Sequence, residues 1–232
     1  MAAGGNAKWL DVSAERFPGW VASFARRHGD SGSGPEVTPG AGAVAFTAAD
    51  GAVAECHPPF PESFALPPGP ASPGQIAALL AAHAQAPRTV GVLLVRLGGY
   101  AAGVFTGYPP ALADSKVGSR LVHGRSAAGG WSQHRFARRR EKQANEALEA
   151  AADTAAAVFG RWTSDRGPQL DAVVLGGDKR AAADLRDDPR LAPYLALATE
   201  RFLTVPDPKR AVLEAAPRLF TAVRIRLTEP SM

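Results

Sequence analysis

Apolar residues at the start of the chain (Trp9, Phe17, Trp20, Val21 and Phe24) make a short amphipathic stretch within residues 1–29. Residues 30–42, rich in Gly and Ser, predict a flexible linker. Two short apolar runs, 43–48 and 52–56, flank Ala49-Asp50-Gly51 and predict a β-hairpin. Residues 57–74 carry too many prolines for regular structure. Ser72 then caps a helix that Pro73 opens and that runs to about Gln85. The β-prone run 89–97, the pair Gly98-Gly99 and the run 100–108 predict a second hairpin at the centre of a sheet. Residues 112–122 predict a further strand, leading into a glycine-rich loop. From Gln133 to Phe159 there is neither Gly nor Pro, which predicts a helix of about 40 Å at 1.5 Å per residue.

The remainder alternates: strand 171–175, helix 180–187, strand 202–205, helix 208–215 and strand 219–227. Such alternation predicts an α/β fold with a mixed, partly parallel sheet and a long basic helix after the loop. The expected organisation is an N-terminal segment (1–29), a linker (30–42), one main α/β domain (43–228) and a short tail (229–232). No internal repeat is visible.

Composition adds few constraints. The 232 residues are 46% apolar, enough for a core, and 24 glycines with 20 prolines predict long irregular connections. No uncharged apolar stretch of about 18 residues predicts a membrane span, and the first twenty residues lack a signal-peptide pattern. Cys56 is the only cysteine. It therefore forms no internal disulfide or thiolate cluster, and a cytoplasmic location is expected.

Charge changes the picture more. The formal net charge is +4. Between Lys116 and Lys142 eight basic residues (Lys116, Arg120, Arg125, Arg135, Arg138, Arg139, Arg140, Lys142) face one acid, Glu141, giving that window +7. The rest of the chain holds 18 basic and 21 acidic residues, a net of −3. Concentrated charge of this kind fits either a polyanion partner or a solvated helix face.

The window contains His123-Gly124-Arg125-Ser126-Ala127-Ala128-Gly129-Gly130-Trp131-Ser132-Gln133, followed by the long helix. Glycines let main-chain N–H groups approach a reacting centre closely, and a helix start leaves such groups unpaired. Arg135, Arg138, Arg139 and Lys142 fall at i, i+3, i+4 and i+7, along one face. Ala137, Ala144, Leu148, Ala151, Ala155 and Val158 make an apolar face, interrupted by Glu141.

These residues resemble the catalytic loop of the middle domain of eukaryotic and archaeal class-one peptide-chain release factors. There His-Gly-Arg-Gly-Gly-Gln precedes Ser-Ala-x-Arg-Phe-Ala-Arg and a basic helix. His123-Gly124-Arg125, Gly129-Gly130, Gln133, Arg135-Phe136-Ala137-Arg138 and Lys142 match in order. Ser126-Ala127-Ala128 is inserted before the glycines, and Trp131-Ser132 separates them from Gln133. Gly130-x-x-Gln133 is closer to the release-factor-like peptidyl-tRNA hydrolases of ribosome quality control. Their actinobacterial branch lacks the ankyrin repeats and zinc finger of the eukaryotic members, and neither addition is present here. The resemblance is sharp over about twenty residues.

It implies a release-factor middle-domain fold of RNase H-like topology and hydrolysis of peptidyl-tRNA on the large ribosomal subunit, independent of stop codons. The chain is too short to add a codon-reading module. The catalytic set would be Gln133, Gly129, Gly130 and Ser132, with Gln133 placing water and its N–H stabilising the oxyanion. Arg125, Arg135, Arg138, Arg139 and Lys142 would contact RNA, with Trp131 either stacking on a base or packing and His123 either touching RNA or bracing the loop. No cofactor, metal or membrane is called for, and a monomer is expected.

Two rivals remain: a non-catalytic RNA-binding protein, and a metal-dependent nuclease using Asp50, Glu55 and Asp114. Three other signals have plainer explanations. Cys56-His57 lacks partners at zinc spacing. Gly176-Gly177-Asp178-Lys179 reads as a strand-to-helix turn rather than a phosphate loop. Ser164 and Ser132 lack the context of an activated nucleophile.

Overall fold

A computed structural model describes residues 7–29, 34–96, 98–120 and 132–230, with the side chains of 132–140 outside the described set. Twelve strands and seven α-helices follow in chain order among those residues. The first half holds β1 (Ala7–Val12), α1 (Phe17–Arg27), β2 (Glu36–Gly40), β3 (Ala43–Thr47), β4 (Val53–His57), α2 (Pro73–Gln85), β5 (Arg88–Arg96), β6 (Gly99–Gly107) and β7 (Ala111–Ser119). The second holds α3 (Ser132–Gly160), β8 (Thr163–Ser164), β9 (Gly167–Pro168), β10 (Ala172–Gly177), α4 (Lys179–Asp184), α5 (Ala192–Leu195), β11 (Ala198–Leu203), α6 (Arg210–Ala215), α7 (Pro217–Phe220) and β12 (Val223–Thr228).

The chain divides into two compact units, Met1–Ala86 with Arg218–Met232, and Pro87–Pro217. This division differs from the expected boundaries of 1–29, 30–42 and 43–228. Residues 7–12 and 36–40 are strands, not an isolated amphipathic segment and a linker.

In the first unit the sheet order is β1-β12-β4-β3-β2, every pair antiparallel. The predicted hairpin is β3–β4, pairing Val44 with Cys56 and Thr47 with Val53. Its turn is fixed by Asp50, whose carboxylate accepts from the Ala52 N–H at 2.9 Å. Inward-facing residues of β3, β4 and β12 pack with Phe17, Val21 and Phe24 of α1 and Ile76, Ala77, Leu80 and Ala84 of α2. Trp9, an apolar member of the expected amphipathic stretch, sits on β1. There the two-residue alternation turns Leu10 and Val12 inward and leaves Trp9 49% exposed. The Arg224 guanidinium lies 4.5 Å over its ring. α2 begins with a full capping box, Ser72 accepting from the Gln75 N–H and Gln75 from the Ser72 N–H.

The second unit is a mixed α/β layer with strand order β11-β10-β5-β6-β7. β5, β10 and β11 are parallel, and β6 and β7 continue antiparallel. β5 is central. Leu93 and Val95 of β5, with Tyr100, Ala102 and Val104 of β6, pack against Ala151, Ala155, Val158 and Phe159 of α3. Gly91 interrupts the β-prone run because a Cβ there would meet a Phe159 ring carbon at 3.1 Å. On the opposite face a Cβ at Gly103 would meet Leu213 of α6 at 3.0 Å.

Two expectations near the end of the chain are corrected. β11 begins at Ala198, four residues before the expected Phe202, because its start carries the polar Thr199-Glu200-Arg201 of an edge strand. The expected strand 219–227 is α7 followed by β12, and β12 pairs with β1 and β4, outside the α/β layer. Its strict alternation, Val223, Ile225 and Leu227 buried with Arg224 and Arg226 exposed, suits a half-exposed antiparallel sheet.

Candidate functional site

β7 and α3 bracket the glycine-rich segment. The last pair of the β6–β7 ladder is Gly99 with Ser119, and the Arg120 N–H then donates to the Gly98 carbonyl at 2.8 Å. Gly98 has φ +83°, a left-handed conformation that glycine adopts at no steric cost. His123, Arg125, Gly129, Gly130 and Trp131 lie outside the described residues. α3 starts at Ser132, so Ser132, Gln133 and Arg135 belong to its first turn, and Arg138 and Arg139 follow about one turn later.

At 1.5 Å per residue the 29 residues of α3 span about 43 Å. The described side chains show where this rod is held. None before Ala147 is buried, whereas Ala147, Ala151, Ala152, Ala155, Val158 and Phe159 all are. Glu141, which breaks the predicted apolar row, is exposed. It lines an open cleft of about 530 Å³ with Asn145, Asp178 and Asp184, so its carboxylate meets solvent rather than core. Lys142, the described member of the predicted basic row, is exposed and pairs loosely with Glu146 at 3.8 Å. It lies about half a turn round the helix from the buried Ala151.

Arg161, just past the end of α3, makes a two-pronged bond to Asp114 of β7, Nε to Oδ2 at 2.6 Å and Nη2 to Oδ1 at 2.7 Å. These bonds hold the Asp114 carboxyl below its ordinary pKa, against the opposing effect of burial. A depressed carboxylate stabilises the fold above its unfolded value of about 3.9, and the contribution is lost as pH falls through the lower folded value. Asp114→Asn should therefore lower Tm at neutral pH by about 1–3 °C. The difference should vanish in thermal melts taken well below pH 4. An unchanged Tm at pH 7 would remove the anchoring role.

The other candidates resolve locally. Cys56 is buried, and burial pushes its thiol well above the ordinary range. His57 faces the other side of β4, its ring 5.4 Å from Trp9. Asp178 caps α4, accepting from the Arg180 and Ala181 N–H groups at 2.8 and 3.0 Å. Gly177, at φ +100°, leaves no room for a Cβ, which would lie 2.2 Å from the Val95 carbonyl oxygen. The motif is thus a packed strand-to-helix turn. Ser164 bonds within its own turn, to the Gly167 carbonyl and the Arg166 N–H. Of the carboxylates the nuclease rival needs, Asp50 is bound to His28, Glu55 to His57 and Arg226, and Asp114 to Arg161. Sequence reasoning overlooked Arg96, Lys209 and Arg210. With Arg120 they line a second cleft, of about 460 Å³, at the sheet end where β7 finishes. Lys209 and Arg210 come from a distant helix start, and only the fold brings them beside Arg120.

The family model for the Actinobacteria/chloroflexi VLRF1 release factor matches residues 88–226. The chain therefore belongs to the VLRF1 release factor family. The matched stretch runs from the first residue of β5 into β12 and includes the whole Gly-x-x-Gln segment. Among solved structures, the chain is similar to the archaeal translation termination factor aRF1, with 12% identity and a TM-score of 0.41. That match covers 76% of this chain and 51% of the archaeal one, so it spans about half of the termination factor's length. Pelota from Archaeoglobus fulgidus aligns at 11% identity and a TM-score of 0.28, covering 95% of this chain and 65% of that one. No curated protein sequence matches. Among the described residues, no helix is long and apolar enough to cross a membrane.

Proposed function

We propose that this protein is a peptidyl-tRNA hydrolase that frees stalled nascent chains from tRNA on the large ribosomal subunit without reading a stop codon. The observation that carries the proposal is the release-factor family match across residues 88–226, which contains Gly129, Gly130, Ser132 and Gln133 in one unbroken stretch. Geometry supports it in one respect. α3 is anchored from Ala147 onward, and none of the described side chains that precede it in the helix, Glu141 to Glu146, is buried. A helix held firmly through its second half suits delivery of a reactive tip into a deep RNA site.

In this account Gln133 places a water molecule against the ester carbonyl. Its main-chain N–H, at a helix start, faces the developing oxyanion. Gly129, Gly130 and Ser132 keep the approach narrow enough for the backbone to reach the ester. His123, Arg125 and Trp131 contact RNA at the tip, and Arg135, Arg138, Arg139 and Lys142 hold phosphates along the helix. The chemistry needs no cofactor or protein-bound metal. The protein acts in the cytoplasm, as a monomer.

The test uses purified large subunits carrying peptidyl-tRNA and no messenger. The full chain should release peptide there, and adding a stop-codon-programmed small subunit should not be required. Arg138→Glu combined with Arg139→Glu should weaken subunit binding and lower the slope of log K against log salt by about one per lost contact. No release by the wild type overturns the proposal, and unchanged binding of the double variant across salt concentrations removes the helix from the RNA interface.

A further inference from the structure

We propose that the cleft lined by Arg96, Arg120, Lys209 and Arg210 is a second RNA-backbone site, which grips a phosphodiester beside the root of the glycine-rich segment. The proposal rests on the ribosomal reading above and extends it to a surface outside both the Gly-x-x-Gln loop and the basic row of α3.

Four cations converge there from three parts of the chain: the end of β5, the end of β7 and the start of α6. Asp207 is the one acid in the lining. Two of the cations are held in place. Arg96 donates from Nη1 to the Val205 carbonyl at 2.9 Å. Arg210 donates from Nη1 to the Ser115 hydroxyl at 2.9 Å and pairs through Nε with Glu214 at 2.6 Å. Arg120 and Lys209 are exposed and have no ion-pair partner among the described residues. Like charges gathered in a concave surface repel one another unless an anion joins them, and a concave wall focuses their field on that anion.

The floor of the cleft is tightly packed. Gly99 forms part of it, and a Cβ there would press on the Arg96 carbonyl oxygen at 3.3 Å and on Pro208 Cδ at 3.4 Å. Val117, 37% exposed, adds an apolar edge against which a ribose can rest. At about 460 Å³ the cleft admits a phosphate with its flanking sugars. Arg120 directly follows β7 and stands three positions before His123, so an RNA strand seated here would fix the root of the segment whose far end is to reach the ester.

The test measures binding of the full chain to large subunits carrying peptidyl-tRNA, and separately to free tRNA, over a salt series. Arg120→Glu with Lys209→Glu is compared with Arg166→Glu plus Arg186→Glu, an equal charge change at exposed positions outside the cleft. The cleft variant should bind about tenfold or more weakly, with a salt slope lower by about two. The control should lose clearly less, and thermal melts should show both pairs folded. A loss on free tRNA as well as on the subunit assigns the contact to tRNA, and a loss on the subunit alone assigns it to ribosomal RNA. If the wild type binds and releases peptide while the cleft variant matches it, or matches the control, the second site is refuted and the hydrolase reading stands. If the wild type neither binds nor releases, both fall together.

Discussion

Gln133→Ala is expected to slow peptide release from subunit-bound peptidyl-tRNA by about 100-fold or more, with little change in binding. The two effects separate because different groups carry them. Affinity for RNA comes from cations against phosphates, and an uncharged amide contributes little to it. In the proposed mechanism the rate comes from holding water in attack geometry, where a displacement of about 1 Å can cost about 100-fold. The Ala variant keeps its main-chain N–H, so part of the oxyanion stabilisation survives and some activity above background should remain. Single-turnover release at saturating protein reads the rate alone, and co-sedimentation reads the binding. A variant that binds and releases as well as the wild type would show that Gln133 does no chemistry. Equal loss of both would point to an anchor rather than a catalytic residue.

Phe159→Ala should be the most damaging single change in the second unit, costing about 3–5 kcal/mol. The ring is wholly buried at the foot of α3. It lies against Gly91 of the central strand and 5.4 Å from the Tyr194 ring. Removing it leaves a cavity that β5 cannot fill, since Gly91 offers no side chain there. Domain stabilities are typically only 5–15 kcal/mol, so the loss is a large fraction of the total. Denaturant titration should show the midpoint fall steeply. A shift equivalent to less than 1 kcal/mol would mean that the core does not anchor the rod as described.

Much of the α/β layer was legible in the sequence because its signals are local. The Gly98-Gly99 turn between two β-prone runs became β5–β6, and the Gly- and Pro-free stretch after Ser132 became α3. Ser72-Pro73 opened α2 where expected. The failures came where partners are far apart in sequence. Nothing near Val223–Thr228 announces that this strand pairs with residues 7–12 and 53–57, more than 160 positions away. Residues 36–40 pair only because β3 offers a free edge, which Gly and Pro content alone does not reveal. The Gly-x-x-Gln segment stood out because its glycines, glutamine and arginines lie close together in the sequence. The cleft of Arg96, Arg120, Lys209 and Arg210 did not, since it exists only once β5, β7 and α6 meet.

In the proposed mechanism water, placed by Gln133, attacks the acyl carbon of the ester. Release carried out in water enriched in heavy oxygen tests this directly. One heavy atom should enter the new terminal carboxylate of the peptide, leaving a tRNA of full length with an unlabelled terminal ribose. Heavy oxygen on a phosphate of a shortened RNA, or no free peptide at stoichiometric protein, would contradict it.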